Sequence, residues 1–424
     1  MLVYSSLSLL LLSFSLTVNT AVIRRDSPVN FPLKKRLDLK SGSLNLKNVV
    51  LRDVARAKSL RSRAQTILDG GVINDIVSKL IRDEVHEEGV SNSAVFYTAS
   101  IGVGTPPTTY EVLVDTGSSN TWIGAQPNNS YKVTKSSVKT KDTVSVSYGS
   151  GSFSGNEFLD SVTLGSDLVL VNQSIGVATT SQGLDVDGIL GIGPNDLTLR
   201  TLSPPNGQPI PTVTDTAFQQ GQIGLNEIGV YFEPIVSSSQ GAGQLSFGGV
   251  DTSKLIGSMQ FTPVTSVRPA SAYWGIEQTI QYGSEALLTG SAGIVDTGTT
   301  LVLVATDAFV KYRDAVGAVL DEDTGLLRIN STQSNQLKSL VFQISGNTLE
   351  LTPNAQLWPR SLNTAIGGSN DYLYLIIADI GVKSGSGLDF INGYTFLERF
   401  YTSFDTANKK VGFAQTAFTN STLN

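Results

Sequence analysis

The sequence carries two copies of one short pattern, VLVDTGSS at residues 112–119 and GIVDTGTT at residues 293–300. In each copy aliphatic residues precede an Asp-Thr-Gly tripeptide, and hydroxyl-bearing residues follow its glycine. This arrangement is typical of a buried strand that runs into a tight turn. We therefore expect Asp115 and Asp296 at the ends of two equivalent strands, with their carboxyl groups facing each other.

A third Asp-Thr-Gly occurs in LDEDTGL at residues 320–326 but lacks these flanks. Acidic residues precede Asp323, and a leucine follows the glycine. This pattern predicts an exposed acidic turn that ends at Gly325. The flanking strand and hydroxyl groups, rather than the tripeptide, carry the signal, so we do not expect Asp323 to be catalytic.

The composition excludes several kinds of chemistry. The 424 residues include no cysteine and a single histidine, His86, which lies in a segment that we expect to be removed. Thiol nucleophiles, disulfides and a His-based triad are thereby excluded, and a zinc hydrolase is disfavoured, although an all-carboxylate Mg or Ca site stays open. We predict no metal and no cofactor, which leaves carboxylate and hydroxyl chemistry.

The amino terminus resembles a secretory signal peptide. An apolar run at residues 7–18 is followed by small and polar residues, which predicts a signal peptide over residues 1–20. The run is too short to span a bilayer, and no later stretch predicts a membrane anchor. We expect a secreted protein, with a vacuolar location less favoured.

Four Asn-x-Ser/Thr patterns are candidate glycosylation sites, namely Asn128, Asn172, Asn330 and Asn420.

A basic segment precedes an acidic body. Residues 24–63 hold twelve Lys and Arg against three Asp, a balance of +9, whereas the chain from residue 93 onward has sixteen against twenty-seven acids, or −11. Helical periodicity is present at residues 49–68 and again at residues 73–81. One interpretation is a basic helix that binds a membrane surface or nucleic acid. The alternative that we favour is an inhibitory propeptide, residues 21–91, held to its acidic partner by charge.

Beyond residue 93 the chain consists of short β-rich runs separated by Gly, Ser, Asn and Pro, which predicts a mainly β protein. Helices are expected only at residues 214–220 and 305–320.

Two carboxyl groups that face each other in a poorly solvated site do not both ionise easily, so one keeps a proton while the other loses it. Such a pair can activate a water molecule and protonate a carbonyl group at once.

Four further segments follow in the chain, YGSGS at 148–152, DGILGIG at 187–193, FLERFYTSFD at 396–405 and VGFA at 411–414. Together with the two Asp-Thr-Gly segments they are similar, in the same order, to the landmarks of pepsin-like aspartic proteases (family A1), most of all to the cysteine-free fungal members. The resemblance covers about residues 96–418. It implies a bilobal fold with an N-terminal lobe at 92–265, a C-terminal lobe at 266–424, and the active-site cleft between them.

The resemblance also assigns roles to residues. It implies that Asp115 and Asp296 are catalytic, one from each lobe. The implied supporting and substrate-binding residues fall into three groups: Ser118 and Thr299, which orient the carboxyl groups; Thr116, Gly117, Thr297 and Gly298, which form and brace the two loops; and Tyr148, Gly149 and Ser150 of a hairpin flap, with Trp122 within reach of the Tyr148 hydroxyl.

Two features depart from the family pattern. INGY at residues 391–394 replaces the family's common apolar-apolar-Gly-Asp step. In the propeptide no lysine is clearly placed over the two carboxyl groups, and Lys79 and Arg82 are the candidates.

The function that follows is an aspartic endopeptidase (EC 3.4.23), made as a zymogen, that cleaves polypeptides next to apolar residues. We expect a monomer, because both halves of the site lie in one chain, and no nucleic-acid partner. The alternative function is a catalytically inactive binding protein on the same fold.

Overall fold

The computed structural model describes residue 25 and residues 27–37, 48–69, 95–149, 151–205, 207–234 and 243–423. Several features predicted from the sequence lie outside these residues. They are the signal peptide, the second helix at residues 73–81 and the side chains of Lys79, Arg82, His86 and Ser150.

Strands dominate the described residues, which confirms the prediction of a mainly β protein. The strands are β1 (Val29–Leu37), β2 (Val95–Val103), β3 (Thr108–Asp115), β4 (Thr121–Ile123), β5 (Val138–Tyr148), β6 (Gly151–Leu164), β7 (Leu168–Gln182), β8 (Gly188–Gly191), β9 (Leu202–Ser203), β10 (Glu227–Phe232), β11 (Gly243–Phe247), β12 (Ile256–Pro263), β13 (Gly275–Tyr282), β14 (Glu285–Val295), β15 (Val302–Val304), β16 (Val319–Leu320), β17 (Leu327–Ile329), β18 (Leu340–Ile344), β19 (Asn347–Leu351), β20 (Leu373–Tyr374), β21 (Ile377–Asp379), β22 (Phe390–Asn392), β23 (Phe400–Asp405) and β24 (Lys410–Gln415).

The α-helices are few and short, except the first. They are α1 (Val49–Leu68), α2 (Val213–Gln219), α3 (Thr306–Val316), α4 (Ser331–Ser334) and α5 (Tyr394–Leu397). The helix predicted at residues 49–68 is confirmed, and α2 lies within one residue of its predicted bounds. The prediction for α3 began one residue too early and ended four residues too late, because Gly317 adopts a left-handed conformation (φ 69°) that ends the helix, and residues 319–320 then pair as β16.

Each lobe builds its Asp-Thr-Gly segment into the same strand pattern. In the N-terminal lobe, β3 pairs in parallel with β8, which is antiparallel to β4, which in turn is parallel to β7. In the C-terminal lobe, β14, β22, β15 and β21 repeat these pairings in that order. The central strands β8 and β22 are fully buried, as expected for strands covered on both faces. The repeated pattern confirms two equivalent lobes.

Strand β1, from the predicted propeptide, lies within a 14-stranded sheet that joins the two halves of the chain. Its first part pairs with β11, where Phe31 lies opposite Leu245, and its second part pairs with β2. Phe31 and Leu33 are buried in the core. Residues 29–37 are therefore an integral part of the fold in this form of the protein. None of the described helices has the length and apolar character needed to cross a membrane.

Candidate active site

The two repeated aspartates lie at equivalent positions. Asp115 is the last residue of β3, and Asp296 directly follows β14; both side chains are fully buried. The backbone N–H of Gly117 donates to Asp115 Oδ1 at 3.0 Å, and that of Gly298 donates to Asp296 Oδ1 at 3.2 Å. A side chain at Gly117 does not fit, because a Cβ atom there would lie 2.6 Å from Asp296 Oδ1. The closeness of the two loops thus requires glycine.

A hydroxyl group holds the outer oxygen of each carboxyl group. Ser118 Oγ donates to Asp115 Oδ2, and Thr299 Oγ1 donates to Asp296 Oδ2, both at 2.5 Å. The two hydroxyl residues occupy the same position, three residues after the aspartate. Each carboxyl plane is therefore fixed by one N–H and one O–H donor from its own loop.

Thr116 and Thr297 join the two loops across the lobe boundary. The backbone N–H of each residue donates to the hydroxyl oxygen of the other at 2.9 Å. Each hydroxyl group in turn donates to a carbonyl oxygen of the opposite lobe, that of Val295 at 3.2 Å and that of Val114 at 2.9 Å. Four hydrogen bonds thus hold the aspartates in a fixed relation.

Arg56 of α1 binds both aspartates. Its Nη2 donates to Asp115 Oδ1 at 2.5 Å and to Asp296 Oδ1 at 2.9 Å, while its Nε donates to Asp296 Oδ2 at 2.7 Å. The Arg56 side chain is itself buried. In this form of the protein, the guanidinium group occupies the space between the carboxyl groups.

The electrostatics of this group are dominated by burial and by Arg56. Burial raises the pKa of Asp115, and the adjacent Asp296 raises it further, against the opposing effect of Arg56. Burial also opposes ionisation of Asp296, but the Arg56 guanidinium, with two N–H groups directed at that carboxylate, lowers its pKa below the ordinary value. Burial alone would lower the pKa of Arg56, yet the two aspartates raise it, so the arginine stays charged.

Helix α1 lies along the cleft and contacts both lobes. Arg63 donates to the carbonyl oxygen of Leu197 in the N-terminal lobe. The hydroxyl of Tyr273, in the C-terminal lobe, donates to the carbonyl oxygen of Leu60 at 2.7 Å. This helix therefore covers both aspartates.

The predicted flap residues lie against α1. Trp122 Nε1 donates to the Tyr148 hydroxyl at 3.0 Å, the contact that the sequence led us to expect, and both side chains are buried. At Gly149 the flap backbone is so close to α1 that a Cβ atom would overlap the backbone of Ala55 and Arg56.

Arg56 was not among the residues predicted to cover the aspartates, for which Lys79 and Arg82 were the candidates. A signal was present, because Arg56 lies between two alanines, Ala55 and Ala57, in the middle of a predicted helix. Small neighbours allow a helix to approach another backbone closely, as α1 approaches the flap. The sequence could not show which of the helix's arginines points into the cleft.

The segment INGY supports Asp296 from behind. The carbonyl oxygen of Asn392 accepts from the backbone N–H of Asp296 at 3.1 Å, and its side chain exchanges hydrogen bonds with Gln278. Tyr394, at the family's Asp position, is buried and packs edge-on against Tyr97. The INGY segment thus supplies a backbone acceptor to Asp296 in spite of its departure from the family pattern.

The remaining candidates lie on the surface. Asp323 is exposed in the turn between β16 and β17, where Gly325 has a φ of 72°. The four asparagines of the glycosylation patterns, Asn128, Asn172, Asn330 and Asn420, are all exposed. Within the described part of the chain, no group of three or more His, Cys, Asp or Glu side chains could hold a metal ion.

Comparisons with known proteins give the family. The family model for eukaryotic aspartyl proteases matches residues 96–416. Polyporopepsin from Irpex lacteus is 59% identical over 336 residues, which are 79% of this chain and 98% of that protein. Gastricsin from Cavia porcellus is 30% identical over 398 residues, 85% of this chain and 94% of that protein.

A solved structure gives the same result. The crystal structure of the aspartic proteinase from Irpex lacteus has a TM-score of 0.75 and 59% identity, and the match covers 78% of this chain and 96% of that chain. The family match, the identities and the shared fold together show that this chain belongs to the pepsin-like eukaryotic aspartyl proteases and is an aspartic endopeptidase.

Proposed function

We propose that the chain is the exported precursor of an acid endopeptidase in which Asp115 and Asp296 activate a water molecule. The observation that carries this proposal is the pairing of the two buried carboxyl groups, each held by its own hydroxyl residue at 2.5 Å and joined through Thr116 and Thr297. Aspartic proteases hold one proton on such a pair because two adjacent charges repel each other.

In the mature enzyme, the space that Arg56 occupies here is the place for the water. One carboxylate removes a proton from this water while the protonated partner donates to the carbonyl oxygen of the scissile bond. The water then attacks the carbonyl carbon without a covalent enzyme intermediate. The two ionisations belong to the pair rather than to one residue.

Latency in the precursor follows from the position of α1. Arg56 donates hydrogen bonds to both carboxyl groups and excludes water and substrate from the space between them. Because Arg56 lowers the pKa of Asp296, the ion pair stabilises the docked helix above that pKa and loses strength as the pH falls through it. The partly exposed pair of Lys34 with Glu111, at 2.6 Å, weakens in the same direction, because Lys34 lowers the pKa of Glu111.

The substrate class is supported by the surroundings of the flap. Tyr148 belongs to an apolar cluster, which we call the flap cluster, and a hairpin flap that closes over the cleft excludes water from a bound peptide. We propose a preference for apolar residues next to the scissile bond. The flap cluster consists of Leu113, Trp122, Val144, Val146, Tyr148, Phe153, Val186, Ile189, Leu202 and Ile210.

The decisive experiment combines two substitutions with an acid digestion assay. The acid-activated protein should hydrolyse casein or haemoglobin, be inhibited by a statine peptide, and begin between residues 84 and 96. Asp115→Asn and Asp296→Asn should each abolish hydrolysis while circular dichroism shows a folded protein. Retained turnover in either variant would exclude the water-activating pair. Absence of hydrolysis in the unsubstituted protein would favour the inactive binding protein, although both aspartates, their glycines and Tyr148 are present.

A further inference from the structure

A second acidic contact docks α1, and it comes from the helix itself. The Oδ2 atom of Asp53 accepts from the backbone N–H groups of Thr300 and Leu301, at 3.0 and 2.8 Å. These residues directly follow Thr299, so Asp53 is bound to the loop that carries Asp296. Its side chain is fully buried. Asp53 lies three residues before Arg56, on the same side of the helix, and therefore fixes the position from which Arg56 reaches the cleft.

The other oxygen of this carboxyl group is poorly satisfied. No hydrogen-bond donor among the described residues reaches Asp53 Oδ1, and the nearest cation in a described ion pair is Arg52 Nη2, at 3.6 Å. Arg52 itself donates to the hydroxyl oxygen of Thr300 at 2.6 Å. A buried carboxylate with one unpaired oxygen is unfavourable, because the lost hydration is replaced only in part.

The charges around Asp53 do not compensate for this burial. The groups that face it are Arg52 and Arg56 on its own helix and the buried Tyr394 hydroxyl of α5. Burial has the largest effect, and although both arginines and the two N–H groups act against it, the pKa of Asp53 rises to about 6. Between about pH 4 and pH 6, Asp53 is therefore protonated in the docked helix but ionised in the free helix.

We propose that Asp53 docks α1 more tightly when its carboxyl group is protonated, so that the precursor is most strongly autoinhibited in a mildly acidic window rather than at neutral pH. A protonated carboxyl group keeps Oδ2 as the acceptor for both N–H groups and removes the unpaired charge from the buried site. The inference rests on the proposed role of α1 as the inhibitor.

Two opposing titrations then set the pH range of latency. Acidification from pH 7 toward 4 strengthens the docking through Asp53, whereas protonation of Asp296, whose pKa is lowered by Arg56, weakens the docking at the acid end. A helix held only by ion pairs with the acidic body would loosen steadily on acidification. Because of Asp53, α1 leaves the cleft only at a lower pH, and its release is completed over a narrower pH range.

The test uses the full-length precursor and a statine peptide, which competes with α1 for the cleft. The dissociation constant of this peptide for the precursor, divided by that for the mature enzyme at the same pH, reports how strongly α1 is docked. The mature enzyme supplies one common reference for all variants of α1, since α1 is absent from it. Measurements at pH 4.5, 5.5 and 6.5 on unsubstituted precursor, Asp53→Asn and Asp69→Asn provide the comparison. Asp69 is an exposed acid at the end of the same helix, paired with Arg268, and is the matched control.

As the pH falls from 6.5 to 4.5, the ratio of dissociation constants should increase more for the unsubstituted precursor than for Asp53→Asn. We expect this additional increase to be roughly tenfold and at most about a hundredfold. Asp69→Asn should follow the unsubstituted protein. Equal pH dependence of the unsubstituted protein and Asp53→Asn would overturn the role of Asp53. A ratio of one for the unsubstituted precursor at every pH would overturn the inhibitory role of α1 as well. Asp53→Ala, which removes both acceptors, should lower the ratio at all three pH values; an unchanged ratio contradicts the docking role.

Discussion

Thr116 and Thr297 form a reciprocal pair in which the backbone N–H of each donates to the other's hydroxyl at 2.9 Å. Thr297→Val removes one acceptor and one donor from a buried network, which costs about 1–3 kcal/mol for the group left unpaired. We expect a folded enzyme whose kcat falls by ~10- to 100-fold because the two aspartates lose their fixed relation. Steady-state kinetics and a thermal melt measure this. Thr297→Ser retains the hydroxyl and should stay within a few-fold of the unsubstituted enzyme; an equal loss in both variants contradicts the role of the hydroxyl.

Arg56 should control latency. Arg56→Ala leaves two buried carboxyl groups without their cation, and breaking a buried pair in this way costs about 3–5 kcal/mol. The docked helix should therefore open more readily, and the precursor should cleave a short fluorogenic peptide at pH 5 at least ~10-fold faster than the unsubstituted precursor in the first minute after mixing. Lys58→Ala removes an exposed cation from the same helix and serves as the control. Equal initial rates for all three precursors would contradict the inhibitory role of Arg56.

The sequence predicted correctly those features that local patterns determine. It could not predict those that depend on tertiary contacts. The aliphatic run before Asp115 and its repeat before Asp296 predict strands that end at a turn, and both are present. Helix α1 was predicted from its periodicity, but the helix offers several arginines, and tertiary contacts decide which one enters the cleft: the flap backbone packs against Ala55 and Arg56, and Asp53 binds the loop that follows Thr299. Asp53 was counted simply as one of three acids in a basic segment, because nothing local shows that the N–H groups of a distant loop meet its carboxyl group.

The flap hydrogen bond between Tyr148 and Trp122 should contribute to catalysis. Tyr148→Phe leaves the buried Trp122 N–H without its acceptor, so the flap loses the contact that fixes its tip over the cleft. We expect kcat/KM for peptide hydrolysis to fall by about tenfold, in line with the ~1–3 kcal/mol of an unpaired buried donor. Tyr372→Phe removes a hydroxyl that lies away from the flap, and it should leave the kinetics unchanged. Unaltered kcat/KM in Tyr148→Phe, or an equal loss in Tyr372→Phe, would contradict the flap contact.

Glu157 on β6 should limit stability toward neutral pH. Its side chain is 2% exposed, and among the described residues its carboxyl group accepts one hydrogen bond, at Oε1 from the Ser174 hydroxyl at 2.5 Å. Burial therefore raises the pKa of Glu157 from 4.5 to about 7. Because the folded state holds a proton that the unfolded state releases, stability is lost as the pH rises from 4.5 through 7, by up to about 3 kcal/mol. Glu157→Gln should therefore flatten the decline in Tm between pH 5 and 8, whereas Glu350→Gln, at an exposed position, should not. If Glu157→Gln and the unsubstituted protein lose Tm in parallel over this range, another group governs the decline.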